Sequence, residues 1–114
     1  ADWQGEPVQI MQTLGPEILK LKDAATSGDF ATVSKNINTF DVYASGVFKN
    51  KALQKEQTMS AVDKISVAIE NKDQTGLKDG YDEFVKVTTL DEIFSLPKGR
   101  RGYHIVNVKS FGQR

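Results

Sequence analysis

Apolar residues at Phe30, Val33, Ile37, Phe40, Ala44 and Val47 recur at successive spacings of 3, 4, 3, 4 and 3. That rhythm draws one stripe along an α-helix and matches no face of a β-strand. A stripe of this length has to be covered, so the chain must supply other helices with matching apolar sides. It does so in three further stretches, and almost nothing before Pro97 alternates with period two. The body is therefore expected to be all-α.

The spacing predicts a first helix opened by Gly15-Pro16, since a proline ring fits the first helical position. It runs through Ile18, Leu19, Leu21, Ala24 and Ala25 to Ser27-Gly28. Gly28 suits a left-handed helix end and Asp29 a cap for the striped second helix. A third helix presents Leu53, Met59, Val62, Ile65 and Ile69, ending near Asn71-Lys72-Asp73. The fourth, with Thr75 as expected cap, presents Leu77, Tyr81, Phe84, Val87 and Thr88. Gly76 and Gly80 should each weaken it by up to about 1 kcal/mol. Thr89-Leu90-Asp91-Glu92 has the form of a capping box opening a short turn through Ile93, Phe94 and Leu96, which Pro97 closes.

The first 14 residues, with Trp3, Val8, Ile10, Met11 and Leu14, are expected to lie against the body. Gly5, Pro7 and the Gly15-Pro16 pair discourage a long helix there. Trp3 is read as packed on its own bundle, with docking as the alternative. The last segment, 98–114, lacks helical period and is expected to be extended or disordered.

An offset of 44 places Ile18 on Val62, Leu21 on Ile65, Asp29 on Asp73, Val33 on Leu77, Ile37 on Tyr81 and Phe40 on Phe84. Two similar hairpins with short links imply an up-down-up-down four-helix bundle, whether or not the halves share an origin. The expected organisation is a bundle with a short N-terminal arm over residues 1–97, a short extra helical turn, and an extended C-terminal tail over residues 98–114.

The formal charge of zero conceals a division at that boundary. Residues 1–97 hold ten basic and fifteen acidic side chains, a net −5, whereas residues 98–114 hold Lys98, Arg100, Arg101, Lys109 and Arg114 and no acid, a net +5. All three arginines lie in the tail, and their rigid guanidinium forks suit carboxylate recognition. Lys49 and Lys51, with Lys55, form a second basic group between the second and third helices.

Chemistry beyond recognition has little material. With no cysteine in 114 residues, a disulfide, a thiolate metal site and a cysteine nucleophile are excluded. No run of 18 apolar residues occurs, and the Ala1-Asp2-Trp3 start lacks a basic-then-apolar leader. His104, the one imidazole, lies in the tail with no acid beside it. Asp82-Glu83 and Asp91-Glu92 read as helix-surface acids, because neighbouring positions on a helix point apart. Gly99-Arg100-Arg101-Gly102 is followed by Tyr103 and no helical start, so it does not read as a phosphate loop. Arg, Gly, Tyr and Phe together suit a nucleic-acid-binding tail, but five cations on an acidic body argue against it. The reading is a non-catalytic docking protein for an acidic surface, with Lys98, Arg100, Arg101, Tyr103, His104, Lys109, Arg114, Lys49 and Lys51 as partner-binding residues. A helical protein–protein adaptor in another compartment is the alternative.

The turn Ser27-Gly28-Asp29-Phe30, its counterpart from Asn71-Lys72-Asp73 to Leu77, the stretch Tyr81-Asp82-Glu83-Phe84-Val85-Lys86 and the ending Phe94-Ser95-Leu96-Pro97 with Arg100-Arg101-Gly102-Tyr103 carry a resemblance. Over roughly residues 15–104 the chain resembles the small extrinsic subunits of the lumenal face of photosystem II. These are the PsbQ-like four-helix bundles and, more closely, the related extrinsic subunit of diatoms. The resemblance implies a peripheral subunit of the chloroplast thylakoid lumen that binds the photosystem II core and other extrinsic subunits. It implies no directly bound cofactor, and support for a manganese-calcium cluster and chloride held by the partner complex. An Ala-Asp start is similar to that of processed lumenal proteins. The plant PsbQ group has a long Pro-rich N-terminal arm where this chain has only Gly5-Glu6-Pro7, so docking is expected to fall to the C-terminal tail.

Overall fold

The computed structural model describes residues 6–95. Among them are α1 (Glu6–Leu19), α2 (Lys22–Ser27), α3 (Phe30–Lys35), α4 (Ile37–Val47), α5 (Ala52–Glu70), α6 (Gln74–Thr88) and α7 (Leu90–Ile93), and no strand. The expected all-α body is present. Trp3, the Pro97 boundary and the 98–114 tail lie outside the described residues.

The start of the first helix is corrected. α1 begins at Glu6 and carries Pro16 in its interior. Pro7 falls in the first turn, where its missing N–H would have found no helical acceptor. Pro16 removes the hydrogen bond to the Gln12 carbonyl. The helix nevertheless continues because Met11, Gly15 and Ile18 share one buried side. Gly15 therefore serves packing: a Cβ there would strike the Phe94 ring and crowd Leu90. The helix stops at Lys20-Leu21, where the Leu21 N–H donates to the Ile18 carbonyl at 3.0 Å in a tighter turn.

The striped helix is also interrupted, at Asn36. Its backbone N–H donates to the Val33 carbonyl at 3.0 Å, while its side-chain amide donates to the Thr32 carbonyl at 2.8 Å, the acceptor an uninterrupted helix would use. The stripe survives the break. Val33, Phe40, Ala44 and Val47 are buried, with Phe30 and Ile37 packed against them.

The two sharp turns are built alike. Gly28 (φ 79°) and Lys72 (φ 52°) are both left-handed, and the following Asp29 and Asp73 donate their N–H groups to Ala24 and Ala68 at 2.8 Å. Asp29 then accepts from the Thr32 N–H at 3.2 Å and Asp73 from the Gly76 N–H at 3.0 Å. Asp73, not Thr75, thus caps the fourth predicted helix, because Thr75 already lies inside α6. The capping box at Thr89 does not form. Thr89 is left-handed (φ 54°) and ends α6, its hydroxyl donates to the Thr88 carbonyl at 2.6 Å, and the Glu92 N–H donates to Asp91 at 2.9 Å.

Helices α5 and α6 form an antiparallel hairpin, Ile65 facing Gly80 and Ala68 facing Gly76. A Cβ on Gly80 would lie 3.1 Å from the Ile65 backbone nitrogen, so the glycine allows the close approach. α2 runs against α6 of that hairpin, with Gln74 bonded to Thr26 and Tyr81 to Ile18 at the end of α1, while α1 itself packs along α4. Phe40, the partner of Phe84 under the offset of 44, meets that ring edge-on at 5.0 Å between centroids. Tyr43 packs on Phe48 and Phe84. Each large apolar side chain fully removed from water here contributes roughly 1.5–3 kcal/mol. The third helix buries Thr58, Ala61, Val62, Ile65 and Ala68. Leu53, expected on that face, is 54% exposed; five positions before Thr58, it points off the buried side.

Candidate docking surface

Of the nine residues expected to bind a partner, the described structure contains Lys49 and Lys51. Lys98, Arg100, Arg101, Tyr103, His104, Lys109 and Arg114 lie outside it. Lys49 is exposed in the connection between α4 and α5, and Lys51 is half-buried just before α5. The Lys51 N–H donates to the Phe48 carbonyl at 2.9 Å, and its own carbonyl accepts from the Lys55 N–H at 2.9 Å. The backbone thereby fixes Lys49, Lys51 and Lys55 within about two helical turns of one another. The first turn of α5 contains no acidic residue, and Leu53 stands exposed within it.

The Asp82-Glu83 pair diverges, as expected for helix-surface acids, whereas Asp91 and Glu92 line one groove together. Asp82 accepts from Lys78 on its own helix at 2.7 Å, whereas Glu83 accepts from Lys64 on α5. The hydrogen bond from Lys78 to Asp82 pushes the Lys78 ammonium pKa up. The Thr32 hydroxyl, donating to Asp29 at 2.7 Å with help from the Thr32 N–H, holds the Asp29 carboxyl below its ordinary value. Among the described residues no three His, Asp or Glu side chains group as metal ligands.

Several grooves indent the described surface, and two bear on the question of a ligand. One of about 400 Å³ has Leu19, Tyr81 and Val85 for apolar lining and Lys22, Lys86 and Glu92 among its charges. The other, about 500 Å³, follows the α5–α6 seam past Gly76 and Gly80, with Val67 and Asp63 beside it. Both mix charges of either sign. Neither converges on one chemical group.

Residues 10–91 match the family model of the Photosystem II Psb31 protein. The chain belongs to the Psb31 family. The matched span runs from α1 into α7, covering nearly all of the helical body and ending before the basic segment that begins at Lys98. No curated protein and no solved structure shows significant similarity to the chain. Psb31 membership makes the protein a photosystem II extrinsic subunit of a structural, not an enzymatic, family. Among the described residues no helix is long and apolar enough to cross a membrane.

What sequence reading missed near this surface is the exposure of Leu53. The available signal was its distance from the 58–61–65–68 face. Tyr81 was read only as part of an apolar stripe, although its hydroxyl donates to the Ile18 carbonyl at 2.8 Å; no local pattern encodes a partner 63 positions away.

Proposed function

We propose that this chain is a non-catalytic extrinsic subunit that docks on the lumenal face of photosystem II in the chloroplast thylakoid and supports the oxygen-evolving complex. Membership of the Psb31 family carries the reading. In it, the chain binds core lumenal domains and other extrinsic subunits and remains peripheral to the membrane. By covering the site it slows the loss of calcium and chloride and stabilises the manganese cluster, which the partner complex holds.

The architecture supporting this role is PsbQ-like. α1 with α2 forms one broken helix and α3 with α4 a second, and with α5 and α6 they make an up-down-up-down four-helix bundle, with α7 as the extra turn. Tail residues Lys98, Arg100, Arg101, Tyr103, His104, Lys109 and Arg114 dock together with Lys49 and Lys51. Opposite charges speed and orient such an encounter, and salt weakens it.

The test is rebinding to salt-washed photosystem II. Replacing Arg100 and Arg101 by Glu should sharply reduce rebinding and its restoration of oxygen evolution, with helical circular dichroism unchanged. Undiminished rebinding would remove the tail from the mechanism.

A further inference from the structure

Asp63 stands where two grooves meet. On one side of α5 runs the groove of about 500 Å³ along the α5–α6 seam. On the other, a third groove of about 270 Å³ lies between α4 and α5. Asp63 lines both.

The seam groove exists because of glycine. Gly80 sits against the Ile65 backbone and Gly76 against Ala68, so at these positions no α6 side chain fills the outer line between the helices. Its apolar wall is Val67, 52% exposed and one turn along α5 from Asp63. Its rim holds Asp63, Asp73 and Asp79 against a single cation, Lys64, which Glu83 already engages. Lys78, next to Asp79 in sequence, is likewise committed, to Asp82 at 2.7 Å. Asp73 uses one carboxylate oxygen to cap α6, and among the described residues neither Asp63 nor Asp79 makes an ion pair. The third groove repeats the pattern, with Asp41 and Asp63 beside Met59 and Ile37 and no cation in its described lining.

These acids are strung along the seam, and among the described residues no three of them close on a metal ion. An apolar wall under a carboxylate rim instead suits a long cationic side chain, whose methylene stem covers apolar surface while its charged head reaches past it. A guanidinium would add a bidentate grip on a carboxylate.

We infer that the outer α5–α6 seam, with the adjoining α4–α5 groove, is a docking surface for a basic segment of a neighbouring photosystem II subunit, its lysine or arginine laid over Val67 toward Asp63 and Asp79. Charge complementarity selects this occupant, because the carboxylates lack partners of their own and would otherwise repel an acidic surface. The inference rests on the extrinsic-subunit reading and adds to it a face of opposite sign from Lys49 and Lys51. Asp63 lies twelve positions beyond Lys51, about 18 Å further along the helix, so the chain has separate faces for partners of either charge.

The experiment measures rebinding of the full-length chain to detergent-solubilised, salt-washed photosystem II, with the extrinsic subunits released by the wash added back. Asp63→Asn/Asp79→Asn should weaken rebinding by about tenfold and Val67→Ser by about fivefold. Glu56→Gln/Glu70→Gln, which removes the same charge from the same helix outside the grooves, should change it less than about twofold. All four acids are exposed, so folding should be retained, and circular dichroism with urea titration checks this. Wild-type rebinding by Asp63→Asn/Asp79→Asn and Val67→Ser, or equal weakening by Glu56→Gln/Glu70→Gln, overturns the groove and leaves the extrinsic-subunit reading standing. Sedimentation of the wild type alone should show a monomer; a dimer that Asp63→Asn/Asp79→Asn abolishes would make the occupant a second copy of this chain and overturn the inference. Absence of rebinding by the wild type overturns the extrinsic-subunit reading, and the inference with it.

Discussion

The Tyr81 hydroxyl donates to the carbonyl of Ile18 at 2.8 Å, joining the middle of α6 to the place where α1 breaks. The Ile18 carbonyl accepts from the Leu21 N–H as well, so Tyr81 takes its second lone pair, and the Tyr81 hydroxyl also lies 3.4 Å from the Leu19 carbonyl. Burial and the carboxylates of Asp82 and Asp23 push the Tyr81 phenol pKa up. Tyr81→Phe should therefore cost about 1 kcal/mol in urea denaturation, the worth of one such hydrogen bond.

Tyr43 should respond in the opposite direction. Its hydroxyl is buried without a hydrogen-bond partner among the described residues, although its ring packs edge-on against Phe48 and Phe84. Leaving a buried hydroxyl unsatisfied costs roughly 1–3 kcal/mol. Tyr43→Phe removes that penalty and keeps the ring, so the variant should unfold at a higher urea concentration than the wild type.

The same two tyrosines set an alkaline limit. Burial raises both phenol pKa values in the fold, so the folded state retains protons that the unfolded chain loses from pH about 10 upward. Their contribution is intact below that pH and falls as pH rises from it toward the folded-state values. Unfolding free energy measured between neutral pH and pH about 11 should decline, and less steeply in Tyr43→Phe. The acid side has the reverse sign. Asp29, held low by Thr32, contributes above its ordinary value of 3.8 and loses that contribution as pH drops below it.

The matched turns show how much of the fold was legible in the sequence. Gly28 and Asp29 were readable because glycine tolerates a left-handed helix end and aspartate caps the next helix. Lys72 occupies the equivalent position with no such signature, and only the offset of 44 pairs it with Gly28. The apolar stripe from Phe30 to Val47 was legible as a face, but the Asn36 break was not, since it depends on a side-chain amide outcompeting a backbone N–H for one carbonyl. Pro16 misled because its local cost was visible while the burial of Met11, Gly15 and Ile18 that outweighs it was not. At the docking surface the lysines were legible from charge. The solvent-facing position of Leu53 required the α5 packing face to be known.

Lys72→Gly offers a direct measure of the turn equivalence. A non-glycine residue held left-handed at φ 52° carries a strain that glycine lacks, of order 1 kcal/mol. The variant should be more stable by up to about that amount, and Gly28→Ala less stable by a similar step, read from paired urea titrations.

Gly80→Ala should loosen the α5–α6 hairpin. Its new methyl would lie 3.1 Å from both the Ile65 backbone nitrogen and the Ile65 side chain. Overpacking of this kind costs about 1–3 kcal/mol, more than the helix propensity gained from alanine, about 1 kcal/mol. A net loss of stability checks that Gly80 is there for helix contact.

The most direct measurement of the central claim is the binding of the purified wild-type chain to salt-washed photosystem II over a range of salt concentrations. A saturable complex that dissociates as salt rises, and whose formation restores oxygen evolution lost in the wash, is the predicted result. Failure to bind at low salt, or binding that neither saturates nor responds to salt, would contradict it.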